Sequence, residues 1–179
     1  MSRFETLFKT HTSPIFMPFF VLGYPTKEAC LQVITDFIEG GAKALELGIA
    51  FSDPIADGPI LQEAQSEVLQ SGFTTQDAFE LLAAIRQRFP TIPISILTYA
   101  QTLEAIGIEC FFKKLHQLDI DALLLADVPL FESTPYQAFA KQYDIDWVCL
   151  AAPSTPNATL EVMAKVGSGY TYVVSRNGV

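Results

Sequence analysis

Short apolar runs alternate along the chain with longer stretches in which apolar residues recur every three or four positions. The runs predict six buried strands, at residues 15–22, 44–49, 94–99, 122–125, 147–150 and 170–174. The stretches between them predict helices at about residues 26–40, 60–70, 75–88, 108–118, 133–143 and 157–165. This alternation is typical of a parallel sheet with right-handed crossovers.

Polar residues stand at the carboxyl ends of several predicted strands. Tyr99 ends the third strand, Asp127 follows the fourth, and Ser175 and Arg176 follow the sixth, while Glu46 lies within the second. No GxGxxG motif follows the first strand, where residues 23–26 predict only a turn. Because the catalytic residues of (β/α)8 barrels come from that one face, the pattern favours an α/β fold of the TIM-barrel type over an open doubly wound sheet.

Length and composition predict a single domain over residues 1–179, because half of the residues are hydrophobic and no linker or low-complexity segment interrupts them. A (β/α)8 barrel takes about 250 residues. We therefore expect only about six strand–helix units here, with strands seven and eight absent from the sequence. Either the chain is a fragment, or its sequence ends at a mobile loop after the sixth strand.

The net charge of −9 and the scattered Lys and Arg residues argue against a nucleic-acid surface. Cys30, Cys110 and Cys149 lack the CxxC spacing, which predicts buried apolar roles in a reducing compartment and no metal site. The chain begins without a signal sequence or a long apolar segment, so we expect a cytoplasmic protein that does not span a membrane. Asn157 fits a glycosylation pattern but is better interpreted as a helix N-cap.

The second predicted strand carries a carboxylate, and the loop after it carries two more. Glu46 lies within an apolar run, where burial raises the pKa of a carboxyl group toward neutrality and lets it both give and take a proton. Asp53 and Asp57 follow on a loop stiffened by prolines. Two carboxylates in different surroundings can take different catalytic roles. The alternative is structural: a core carboxylate satisfied by a partner, with two aspartates that cap a helix or form a turn.

The sequence ELGIAFSDPIADGP at residues 46–59 resembles the signature of the tryptophan synthase alpha chain family, roughly ELGIPFSDPLADGP. Further segments of the family are matched in order at residues 18–19, 23–25, 97–99, 125–129 and 169–176. The resemblance therefore extends along nearly the whole chain. It implies retro-aldol cleavage of indole-3-glycerol phosphate to indole and glyceraldehyde 3-phosphate, in tryptophan biosynthesis, with no cofactor and no metal.

The resemblance also assigns roles to residues. It implies that Glu46 protonates indole C3 and removes the proton of the glycerol hydroxyl, and that Asp57 accepts a hydrogen bond from the indole N–H. The indole pocket is implied to be lined by Phe19, Leu97, Tyr99, Ala126, Leu150 and Tyr172. Asp53 and Pro54 are implied to contact a tryptophan synthase beta chain in an alpha2-beta2 tetramer.

Three residues depart from the family pattern: Val21 replaces threonine, Ala50 replaces proline, and Gln101 replaces asparagine. They flank the expected pocket or its loop, so we expect them to affect the rate of the cleavage reaction more than the fold. One alternative is an alpha-type subunit that activates the beta chain but has lost most lyase activity. Another is a Schiff-base aldolase, which is disfavoured because Lys43 lies at the amino end of its strand.

Overall fold

The computed structural model describes residues 2–175, which form seven short strands and eight α-helices. The strands are β1 (Phe19–Val21), β2 (Leu45–Gly48), β3 (Ile94–Thr98), β4 (Ala122–Leu125), β5 (Asp146–Trp147), β6 (Cys149–Ala151) and β7 (Thr171–Val173). The helices are α1 (Arg3–Thr10), α2 (Lys27–Glu39), α3 (Pro59–Gln70), α4 (Thr75–Arg88), α5 (Ala100–Ile106), α6 (Ile108–Gln117), α7 (Thr134–Gln142) and α8 (Asn157–Val166). Arg176, predicted from the sequence to lie at the barrel face, falls outside the described residues.

All the strands pair in parallel and in chain order, from β1 to β5 in one sheet and from β6 to β7 in another. Val148 lies between β5 and β6 and joins the two sheets, because its N–H donates a hydrogen bond to the Leu123 carbonyl of β4. The predicted fifth strand is thus one extended segment, which Val148 divides into β5 and β6. Six successive strand positions joined by helices confirm the barrel type of α/β fold and exclude the reversed strand order of a doubly wound sheet.

Most predicted elements are confirmed to within a few residues, and two helices were not predicted. Helix α4 has the predicted bounds, and its Thr74–Asp77 capping box explains why it begins there. The first strand is shorter than predicted, because only residues 19–21 pair with β2. Helices α1 and α5 were missed. The predicted N-cap at Asn157 is wrong by one position, because Pro156 is the N-cap and Asn157 is the first helical residue.

Two apolar layers lie on opposite faces of the strands. The larger one packs the outward side chains of β2, β3 and β4 against the helices and includes Leu47, Ile96 and Leu123. The smaller one fills the interior of the barrel. Helix α1 contributes Phe4 to this interior, where its ring lies 5.1 Å from that of Tyr170. Successive strand residues therefore alternate between two buried faces, which is why these strands show no polar alternation in sequence.

Buried charges join the amino ends of β3 and β4. Asp121 accepts hydrogen bonds of 2.8 Å from the Arg86 guanidinium and from the Ile94 N–H through the same oxygen. Its other oxygen accepts a 2.8 Å hydrogen bond from Arg3. Burial lowers the pKa of Arg86, and the charge of Asp121 opposes this effect. The network holds α1 and α4 to the end of the barrel opposite the polar residues described next.

Cys30 and Cys149 are buried as predicted, whereas the prediction for Cys110 is wrong because it lies exposed on α6. Its place on a strongly amphipathic helix, beside inward-facing phenylalanines, puts it on the solvent side. Among the residues that the structure describes, no helix is long and apolar enough to cross a membrane.

Candidate active site

The middle of β2 places Glu46 inside the barrel. Glu46 pairs in register with Phe19 on β1 and with Ser95 on β3, and its side chain is only 3% exposed. Two residues later, Gly48 leaves room for the Phe19 ring, because a Cβ at this position would lie 2.6 Å from Phe19 Cζ. The glycine therefore lets an aromatic ring pack across the strand beside the carboxylate.

Tyr170 holds the Glu46 carboxyl group in place. Its hydroxyl donates a 2.7 Å hydrogen bond to Glu46 Oε1 and lies 2.9 Å from the Ser95 hydroxyl, which can donate to it in turn. Burial raises the pKa of Glu46, the hydrogen bond from Tyr170 opposes this rise, and the charge of Asp57 adds to it. Glu46 is thus a carboxyl group suited to hold a proton and release it to a neighbour.

Asp57 lies at the end of the loop after β2, directly before α3. Its N–H donates to the Pro54 carbonyl over 3.0 Å, and its carboxylate is buried. Tyr99 donates a 2.8 Å hydrogen bond to Asp57 Oδ2, and the Gln65 amide donates a second one of 2.8 Å to the same oxygen. Burial and this carboxylate raise the pKa of Tyr99 well above its ordinary value, so its hydroxyl stays a donor.

The remaining predicted pocket residues lie together in the interior layer. They are Phe19, Leu97, Ala126, Leu150 and Tyr172. Tyr172 is half-buried, and its pKa is raised first by burial and then by the charges of Glu46 and Asp57. The charges of both carboxylates therefore act on the same aromatic side chain.

Tyr99 lies apart from this interior layer. Its ring stacks on Phe51 at 5.0 Å between centroids, and its hydroxyl also accepts a hydrogen bond from the Ala56 N–H. The structure therefore places Tyr99 against the loop that carries Asp57. Its contacts there are with the loop and with the carboxylate, and Tyr99 is only 1% exposed.

Asp53 and Pro54 lie at the outer side of the same loop. Asp53 is exposed, and its carbonyl accepts a hydrogen bond of 2.9 Å from the Ile55 N–H. Ile55 is 65% exposed, which is high for an apolar side chain. The loop thus presents Asp57 inward and Asp53 outward, so the structure does not bring the two aspartates to the same site.

The three departures from the family pattern lie on different elements. Val21 and Ala50 belong to one small apolar cluster with Val68 of α3, while Gln101 is exposed on α5. Lys43 is exposed before the amino end of β2, as predicted from the sequence. Among residues 2–175, no group of three His, Cys, Asp or Glu side chains is arranged to hold a metal ion.

Sequence reasoning did not find two residues that bond to the carboxylates, nor a third that supports one of them. Tyr170 bonds to Glu46, Gln65 bonds to Asp57, and Ser95 bonds to the Tyr170 hydroxyl. Tyr170 and Tyr172 are two positions apart along the predicted sixth strand, and this spacing could have indicated that both side chains face the barrel interior. Gln65 gives no such signal, because a glutamine on an otherwise polar helix is ordinarily exposed.

Comparison with known proteins assigns the chain to a family. The sequence profile of the family described as tryptophan synthase alpha chain matches residues 5–179. A relative from Klebsiella pneumoniae subsp. pneumoniae, named tryptophan synthase alpha chain, is 44% identical over 182 residues, which cover 100% of this chain and 68% of the relative. One from Francisella tularensis with the same name is 42% identical and covers 99% of this chain and 67% of its own length.

A solved structure from Pyrococcus furiosus, described as the structural basis of mutual activation of the tryptophan synthase a2b2 complex, superposes with a TM-score of 0.84 at 33% identity. The match covers 89% of this chain and 67% of that one. The family profile and the Klebsiella relative both cover the segments that carry Glu46 and Asp57. The chain belongs to the tryptophan synthase alpha chain family.

Proposed function

We propose that this chain is a lyase that cleaves indole-3-glycerol phosphate into indole and glyceraldehyde 3-phosphate, with Glu46 and Asp57 as its catalytic residues. The observation that carries the proposal is the buried carboxyl group of Glu46, whose pKa is raised inside an apolar barrel. Bond cleavage at an aromatic carbon requires protonation of that carbon, and an acid with a raised pKa can supply the proton.

The reaction begins with Glu46 protonated. Transfer of its proton to indole C3 leaves a positive charge on the ring that is shared with the ring nitrogen. The resulting Glu46 carboxylate then takes the proton of the glycerol hydroxyl beside C3, the carbon–carbon bond breaks, and its electron pair restores the neutral indole. Glu46 ends the cycle protonated, so the proton balance closes without a cofactor.

Asp57 supplies the fixed negative charge in this scheme. A carboxylate that accepts a hydrogen bond from the indole N–H stabilises the ring as positive charge develops on it. Tyr99 and Gln65 hold this carboxylate through Oδ2. The interior layer of Phe19, Leu97, Ala126, Leu150 and Tyr172 supplies an apolar wall of the kind that an indole ring requires.

We further propose that the chain works with a tryptophan synthase beta chain in the cytoplasm. The Pyrococcus furiosus protein is described as such an a2b2 complex with mutual activation. In this proposal Asp53 and Pro54 meet the beta chain, because they lie on the outer side of the loop whose inner side carries Asp57. A contact at one side of the loop can then alter the position of the carboxylate at the other.

The test is to incubate the chain with indole-3-glycerol phosphate, with and without a tryptophan synthase beta chain. We expect indole and glyceraldehyde 3-phosphate in equal amounts, formed faster when the beta chain is present. A Lys43→Met variant should retain this activity, and borohydride should not inactivate the wild type, because no Schiff base forms. Absence of both products with the beta chain present would refute the lyase and leave a subunit that only binds.

A further inference from the structure

Gln65 is a polar side chain buried on the inner face of α3. It is 3% exposed, whereas Gln62 and Gln70, the other glutamines of this helix, face solvent. Burying an amide is costly unless both its oxygen and its nitrogen find partners. Both do so here, and one of the partners is the carboxylate of Asp57.

The chemistry of its partners fixes the orientation of the Gln65 amide. The Phe51 N–H can only donate, and it lies 3.0 Å from Oε1. The Asp57 carboxylate can only accept, and Oδ2 lies 2.8 Å from Nε2. The amide therefore meets a donor with its oxygen and an acceptor with its nitrogen, which a side chain that only donates or only accepts could not do.

These two contacts join opposite ends of the loop that follows β2. Phe51 lies near its start and Asp57 near its end, and the Phe51 ring stacks on Tyr99, whose hydroxyl bonds to the same Asp57 oxygen as Gln65. The contacts form a closed ring through Phe51, Gln65, Asp57 and Tyr99. Such a ring allows little rotation of the carboxylate, since two donors converge on Oδ2 from different elements.

We propose that Gln65 is a positioning residue for Asp57, which turns Oδ1 toward the indole nitrogen of the substrate. The inference rests on the proposed function. Among the described residues, Oδ1 meets no hydrogen-bond donor, whereas Oδ2 meets two. An orienting bond of this kind acts on catalysis through geometry, because displacement of a catalytic group by about 1 Å can lower a rate on the order of 100-fold.

The test compares indole formation by three variants, each assayed with the beta chain present. Gln65→Met removes both hydrogen bonds at similar volume, and Gln65→Glu keeps the acceptor for Phe51 but turns a carboxyl group toward Asp57. Gln70→Met changes an exposed glutamine of the same helix and serves as the control. We expect kcat of Gln65→Met to fall on the order of 100-fold while KM stays within about threefold of the wild type.

The pH dependence of Gln65→Glu activity distinguishes a positioning role from a purely structural one. At high pH two carboxylates would face each other, whereas at low pH one proton shared by them restores a donor to Asp57. We therefore expect its activity relative to the wild type to rise about tenfold from about pH 8 to about pH 6. If Gln65→Met does not fold, the pH dependence of Gln65→Glu still tests the inference.

The outcomes are distinct. An active wild type whose Gln65 variants match Gln70→Met, or a Gln65→Glu loss that does not depend on pH, overturns this inference alone. In an Asp57→Asn background, Gln65→Met should lower kcat by less than about threefold. If Gln65→Met lowers kcat as much there as it does in the wild type, Gln65 acts on another group. A wild type that forms no indole overturns the proposed function first.

Discussion

The Tyr170 hydroxyl donates a 2.7 Å hydrogen bond to the carboxylate of Glu46, 124 residues earlier in the chain. The bond connects the segment leading into β7 with the middle of β2, across the barrel interior. It stabilises the charged form of Glu46 and therefore opposes the rise in pKa that burial causes. Tyr170 thus helps to set the pH at which Glu46 can act as an acid.

A Tyr170→Phe substitution should accordingly raise the pKa of Glu46. Without the donor the carboxylate loses stabilisation while the protonated form does not. If the protonated form starts the reaction, kcat/KM falls as pH rises through this pKa, and the fall should move upward by about one pH unit in the variant. The pH profile of indole formation measures this, and Tyr143→Phe, at an exposed tyrosine hydroxyl bonded to Glu109, is the control. An unchanged profile would show that Tyr170 does not tune Glu46.

Asp57→Asn should impair the reaction severely without abolishing it. The amide can still accept a hydrogen bond from an indole N–H, but it supplies no negative charge to the ring. We expect kcat to fall about 100- to 1000-fold, comparable to the loss of one preorganised electrostatic group. Steady-state kinetics with indole-3-glycerol phosphate measure the change. Activity near that of the wild type would remove charge stabilisation by Asp57 from the mechanism.

Asp53→Ala should separate partner binding from folding. Asp53 is exposed, so we expect the free energy of unfolding of the isolated chain to change by less than about 0.5 kcal/mol. Stimulation of the beta reaction should nevertheless weaken. Thermal unfolding and a titration of the beta chain with the variant measure the two effects. Unaltered activation across the titration would leave Asp53 as a turn residue.

Asp121→Ala should destabilise the fold by about 3 kcal/mol, because it leaves the buried Arg86 guanidinium without its carboxylate. The loss also frees the Ile94 N–H at the start of β3. Urea unfolding of the isolated chain measures the free energy. Asp36→Ala, at an exposed aspartate of α2, serves as the control and should change it little. Equal stability of the two variants would contradict a structural role for this network.

Local sequence signals predicted the elements that have strong boundaries. Helix α4 was predicted from its helical periodicity and from Pro90 beyond its end, and β4 from four successive apolar residues. Helix α1 was missed because it buries only Phe4 and Leu7, which is too weak a pattern to stand out. Helix α5 was missed because it is seven residues long and Gly107 separates it from α6.

The site was predictable as far as its residues share one strand and one loop. Glu46 and Asp57 lie close in sequence, and the family resemblance supplied by position the residues that are proposed to line the pocket. The partners of the carboxylates could not be predicted in this way. Tyr170 bonds to Glu46, which lies 124 residues earlier in the chain. Gln65 bonds to Asp57 because of the way α3 is turned about its own axis. Contacts of this kind depend on packing between elements, which local patterns do not encode.

The central claim is that Glu46 carries the proton in the cleavage reaction, and Glu46→Gln tests it most directly. The substitution keeps the shape of the side chain and an oxygen that can accept the hydrogen bond from Tyr170, but it removes the transferable proton. We predict that the variant folds as the wild type does by circular dichroism and forms no detectable indole from indole-3-glycerol phosphate with the beta chain present. Glu39→Gln, at an exposed glutamate of α2, should retain full activity. Indole formation by Glu46→Gln at the wild-type rate would contradict the account.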